Sequence, residues 1–60
     1  MAVVESITWL HNHGHEGGLW RVSYYTEDGQ HEYRFYSCAK VRDELEAFTR
    51  FIKEQTDEHL

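Results

Sequence analysis

The dipeptide Asp28-Gly29 constrains this chain more than any other feature. It stands between two runs of alternating side chains, Leu19 to Glu27 and Gln30 to Cys38. Asp-Gly suits a two-residue type I′ hairpin turn, whose central residues both need positive φ. Such a turn predicts that Glu27 faces Gln30, Tyr25 faces Glu32, Tyr24 faces Tyr33, Val22 faces Phe35 and Arg21 faces Tyr36. Side chains alternate across a strand, so a register also sorts them into two faces. The predicted core face carries Trp20, Val22, Tyr24, Tyr33 and Phe35. The predicted open face carries Arg21, Ser23, Tyr25, Glu32, Arg34 and Tyr36.

The flanking segments complete the plan. Val3 to Leu10 reads as a first strand with Ile7 and Trp9 toward the core. His11 to Gly18 is polar and rich in glycine, hence a loop. After the hairpin, Val41, Leu45, Phe48 and Ile52 follow helical spacing, with Ala47 and Phe51 broadening the stripe. Ser37 is the expected N-cap of that helix. Glu46 with Arg50, and Arg50 with Glu54, form expected i,i+4 pairs. The predicted fold is α+β, one domain over residues 1–60. A three-stranded antiparallel meander precedes a single C-terminal helix packed on one sheet face, in the order βββα. The expected core is Trp9, Trp20, Val22, Phe35, Leu45, Phe48 and Ile52.

Sixty residues make a small domain with little room for a core. An aromatic content of 15% compensates, because large rings carry much of the burial. Cys38 is the one cysteine, so no internal disulfide forms and a reducing, cytoplasmic setting is expected. Met1 to Ile7 lacks the pattern of a signal peptide, and no apolar run matches a membrane span. The formal net charge is −5. Such a surface disfavours direct nucleic-acid binding and favours protein partners with basic surfaces. A monomer without cofactor is expected.

Candidate chemistry is sparse. His11, His13 and His15 are spaced by two, with Glu16 adjacent, and imidazoles are common metal ligands. The stretch His11-Asn12-His13-Gly14-His15-Glu16-Gly17-Gly18 resembles the His-x-His-x-Asp-His-x-Gly-Gly motif of metallo-β-lactamase-type hydrolases, but it lacks the Asp and the length of that fold. The letters His-Asn-His at 11–13 are contiguous, unlike the dispersed residues of HNH nucleases. A solvated turn, a small metal-binding loop or a partner-contacting loop are the readings left. Cys38 has no His or Asp tied to it, and no nucleophile constellation is visible, so an enzyme is not expected. Arg21, Tyr25, Arg34 and Tyr36 on the open face are of the types enriched at interface hot spots, and point to a protein-interaction module.

In length, acidity, meander-plus-helix plan and lack of disulfide or catalytic apparatus, the chain resembles the small phage-encoded anti-CRISPR inhibitors, particularly those of type I systems. The resemblance implies an inhibitor that occludes a basic, DNA-reading surface of a surveillance complex or its nuclease, with carboxylates standing in for phosphates. The acids that would serve are Glu27, Asp28 and Glu32 on the hairpin, with Asp43, Glu44, Glu46, Glu54, Asp57 and Glu58 along the helix.

The histidine loop generates one prediction. Ordering a glycine-rich loop opposes convergence of three imidazoles, and no fourth ligand is evident. Zinc titration followed by calorimetry is expected to give no binding in the micromolar range or tighter. A tight site abolished by His13→Ala with His15→Ala would overturn it.

Overall fold

A computed structural model describes residues 2–11 and 17–57. Strands β1 (Val3–Leu10), β2 (Leu19–Tyr25) and β3 (His31–Ser37) are followed by helix α1 (Glu44–Asp57). The strands form one antiparallel sheet in the order β1-β2-β3, and the helix lies on one face. The architecture is therefore the expected βββα. Among the described residues, no helix is long and apolar enough to cross a membrane.

The hairpin register differs from expectation by one residue. Tyr25 faces His31, Tyr24 faces Glu32, Ser23 faces Tyr33, Val22 faces Arg34, Arg21 faces Phe35 and Trp20 faces Tyr36. The cause is the turn. Gly29 has φ +83°, while Asp28 stays at negative φ, so no type I′ turn forms. The loop contains three residues instead of two. The Thr26 carbonyl accepts from the Gly29 N–H at 2.9 Å, and the Thr26 N–H donates to the Gln30 carbonyl at 2.9 Å. The Thr26 hydroxyl accepts from the Gln30 N–H at 3.1 Å. This is a turn closed by a glycine bulge, the next commonest hairpin connection, and Asp-Gly serves it equally well. A slip of one residue exchanges the faces of β3. Arg34 and Tyr36 go to the helix side, together with Glu32, whereas Tyr33 and Phe35 go to the open side.

A bulge also breaks the alternation in β1. Val4 pairs with Tyr24 and Ser6 with Ser23, leaving Glu5 as the extra residue. Val4 and Ile7, three apart, consequently both pack toward the core. Ile7 and Trp9 take the expected helix side, opposite Val22 and Trp20.

The helix begins later than expected. The Ser37 carbonyl accepts from the N–H groups of Lys40 and Val41, each at 3.0 Å, closing a turn. Val41 then sinks fully into the core. Asp43, and not Ser37, caps α1: its side chain accepts from the Glu46 N–H at 2.9 Å. Glu46 pairs with Arg42 at 3.1 Å, and Glu54 pairs with Arg34 at 2.7 Å, so both make ion pairs other than the expected ones with Arg50.

The core is Val22, Tyr24, Tyr36, Val41, Ala47 and Phe51. Of the expected core, Val22 is buried and Trp20 packs against the cluster, but Phe35, Leu45, Phe48, Ile52 and Trp9 remain partly open. Leu45 is 72% exposed. The helix is rotated so that Ala47, Phe51 and Glu54 face the sheet. These are spaced by four and three and share one face. Small Ala47 admits the tyrosines of the sheet, and the Phe51 ring meets Tyr24 at 4.7 Å between centroids.

Phe51→Ala is expected to cost about 3–5 kcal/mol, the range for a fully buried aromatic, and Phe48→Ala about 1 kcal/mol or less, since its ring already meets solvent. Urea denaturation of both variants checks the rotation. A larger loss at Phe48 would contradict it.

Candidate functional site

The open face of the sheet is built by the register described above. Tyr25 on β2 and His31, Tyr33 and Phe35 on β3 form a continuous row of rings. Tyr25 and His31 stack at 4.8 Å, His31 meets Tyr33 at 4.9 Å, and Tyr33 meets Phe35 at 6.5 Å. The row is accessible: Tyr33 is 49% and Phe35 52% exposed. The Arg21 guanidinium lies 5.1 Å from the centre of the Tyr33 ring, where the ring's quadrupole attracts a cation. Arg21 Nε is buried with no hydrogen-bond partner among the described residues.

One end of the row is fixed by a polar cluster. The bulge at Glu5 aims its carboxylate onto the open face. Ser23 Oγ donates to Glu5 Oε1 at 2.8 Å and the Tyr25 hydroxyl donates to Oε2 at 3.0 Å. His31 Nε2 lies 3.1 Å from Glu5 Oε1 and also hydrogen-bonds the Ser23 hydroxyl. Serine, histidine and glutamate in contact invite comparison with a nucleophilic triad. The protons argue otherwise. Ser23 has a single proton and gives it to Glu5, an acceptor only. His31 Nε2 must then carry a proton and donate it. A serine base needs that nitrogen free to accept, and the carboxylate on the other nitrogen. Ser23 is also buried. The cluster is a clamp on the edge of the sheet.

Of the four predicted sheet-face residues, Arg21 and Tyr25 lie on the open face. Arg34 and Tyr36 do not, because the register places them under the helix. There Glu54 Oε1 accepts from Arg34 Nη1 at 2.7 Å and from the Tyr36 hydroxyl at 2.6 Å. Burial first, and the bond to Glu54 second, push the Tyr36 hydroxyl far above its ordinary range. Tyr33, Phe35 and His31 take the vacated places. Sequence reasoning missed them because it assigned Tyr33 and Phe35 to the core. The Thr26 hydroxyl, able to cap a longer loop, was the available signal.

The predicted acids are dispersed. Glu27 and Asp28 occupy the hairpin tip and are exposed. Glu32 is exposed beside Tyr24, whose hydroxyl donates to it at 3.2 Å. Glu44 is exposed in the first helical turn. Asp43, Glu46 and Glu54 hold the cap, the Arg42 pair and the Arg34–Tyr36 anchor. Asp57 ends α1, and Glu58 lies outside the described residues. His13, His15 and Glu16 of the histidine loop also lie outside them, and His11 is exposed after β1. Among the described residues no group of His, Cys, Asp and Glu is placed to hold a metal. Gly17, at φ +84°, abuts the Cys38 sulfur so closely that a side chain there would collide with it.

The clamp has a pH signature. Hydrogen bonds from Ser23 and Tyr25, with His31, hold the Glu5 carboxyl below its ordinary 4.5. A depressed carboxyl contributes stability above its unfolded value, and the contribution is lost as pH falls through the folded one. The bond to Glu5 holds the Tyr25 phenol above its ordinary 10.0, so that contribution is lost at high pH instead. Thermal melts between pH 3 and 7 are expected to show a steeper acid loss for the wild type than for Glu5→Gln. Parallel profiles would contradict the clamp. No protein-family model, curated protein or solved structure matches this chain, so its function is read from this geometry.

Proposed function

We propose that this chain is a non-enzymatic binding protein whose working surface is the open sheet face and whose partner is a protein with a basic contact surface. The observation that carries the reading is the accessible row Tyr25-His31-Tyr33-Phe35. Tyrosine, phenylalanine and arginine concentrate in interface cores, and a contiguous apolar patch on a small soluble domain marks a docking site. The partner's charge follows from two features. The net charge of −5 steers basic surfaces toward the chain. Arg21 lying over Tyr33 supports ring faces suited to a guanidinium, and a partner's arginines would find further ring faces beside it.

The resemblance to anti-CRISPR inhibitors extends the proposal: the basic partner would be a surveillance complex or its nuclease, and binding would block DNA recognition. The geometry favours the sheet face over a helical acidic stripe as the contact. Three of the acids that such a stripe needs are engaged in holding the fold.

The test compares wild type with Tyr33→Ala/Phe35→Ala and with Glu27→Lys/Asp28→Lys, all against a purified type I surveillance complex and against lysate proteins. Both pairs change exposed residues, so the fold is retained. The aromatic pair is expected to weaken binding roughly 30-fold or more, as for a truncated hot spot of about 2 kcal/mol. The charge pair is expected to slow association mainly at low salt, where the Debye length is about 30 Å, and little at 0.15 M, where it is about 8 Å. Unchanged binding by the aromatic pair would remove the sheet face as the working surface. A partner with an acidic contact surface would contradict the charge argument, and indifference of the surveillance complex would remove the CRISPR target.

A further inference from the structure

On the opposite side of β3 a second site takes shape. A cleft of about 300 Å³ opens between β3, the turn that follows it and α1, lined by Arg34, Phe35, Tyr36, Ser37, Lys40, Arg50 and Glu54. Each of the three elements supplies one cation to it: Arg34 from the strand, Lys40 from the turn and Arg50 from the helix. The chain has six Lys and Arg residues against eleven acids, and three of those six bases converge here. One carboxylate shares the cleft, that of Glu54, and it is already bound by Arg34 and the Tyr36 hydroxyl. Lys40 and Arg50 make no side-chain hydrogen bond or ion pair among the described residues, and both are exposed. Their donors are therefore open to an anion, although Glu46 and Glu54 stand near Arg50.

We infer that this cleft is a binding site for a phosphate-type oxyanion, clamped between Lys40 and Arg50 and roofed by Ser37. A guanidinium presents a planar fork of donors to two oxygens of a tetrahedral anion, and an ammonium adds a mobile point charge. The Arg34–Glu54–Tyr36 triangle lines the cleft beside Arg50. Arg34 and Arg50 both pull the Tyr36 hydroxyl downward against the stronger opposing effects of burial and Glu54, which puts both guanidiniums within electrostatic reach of the same oxygen. The cleft is shallow, so a single phosphoryl group fits, either free or as an ester with its remainder projecting past Phe35. This site shares Phe35 with the ring row but takes its cations, Lys40 and Arg50, from the turn and the helix, so its test is separate from that of the sheet face.

Amide chemical shifts settle the matter. The full chain is titrated with sodium phosphate, and separately with phenyl phosphate, at ionic strength held constant with sodium chloride. Saturable shifts are expected for Ser37 to Val41 and for Arg50 to Glu54, with a Kd on the order of 1 mM for inorganic phosphate. Tighter binding of the phenyl ester would identify an esterified phosphate as the ligand. Equal binding would identify the free anion. Lys40→Ala/Arg50→Ala changes two exposed side chains and is expected to weaken binding at least tenfold, with the remaining spectrum preserved. Shifts that fail to saturate, or that persist unchanged in the double variant, would overturn the inference.

Discussion

One carboxylate sets both the rotation of the helix and the pairing of the last strand. Glu54 Oε1 receives Arg34 and the Tyr36 hydroxyl together, beneath α1. Both donors sit on the face of β3 that the three-residue hairpin loop turns toward the helix. In the alternative register they would point to solvent, and Glu54 would be left facing Tyr33 and Phe35. A carboxylate under a helix without donors is costly to desolvate. Hydrophobicity alone scarcely distinguishes the two registers, since each face of β3 has large aromatic side chains. The choice is made by hydrogen bonds.

The open face follows from the same choice. Placing Arg34 and Tyr36 inside sends Tyr33 and Phe35 outside. The exposed aromatic surface is thus the complement of a polar anchor at the margin of the core. The Glu5 clamp then stiffens one end of this surface, since the carboxylate receives groups from both other strands. A row of rings held in this way has little side-chain entropy left to lose on any contact.

The order of elements was legible because alternation and helical spacing are strong, and Asp28-Gly29 does mark the hairpin. The details failed where a local rule had two solutions. Asp-Gly serves loops of two or three residues, and the extra residue exchanged Tyr33 and Phe35 with Arg34 and Tyr36. The bulge at Glu5 defeated strict alternation and brought Val4 inward. The rotation escaped apolar spacing because Glu54, a polar and half-buried residue, belongs to the inner face, and such spacing has no means of finding a carboxylate there. Ser37 was a sound capping residue by type, but Asp43-Glu44-Leu45-Glu46 offered a cap with an acid three residues later, and that later signal prevailed.

The three-residue hairpin loop carries a consequence for how this chain tolerates change. Its tip is open, with nothing near the position where a side chain on Gly29 would point. Replacing Glu27 or Asp28 alters little beyond the local turn, whereas Gly29, at φ +83°, resists a side chain because of its backbone conformation and not for want of space. Altering the length is another matter. Removing one residue from the loop would turn β3 over, bringing Tyr33 and Phe35 inward and taking Arg34 and Tyr36 away from Glu54. Drift by substitution and drift by insertion or deletion thus meet very different barriers at Glu27 and Asp28. Over many generations such a loop would vary at its first two positions while its glycine and its residue count stayed constant.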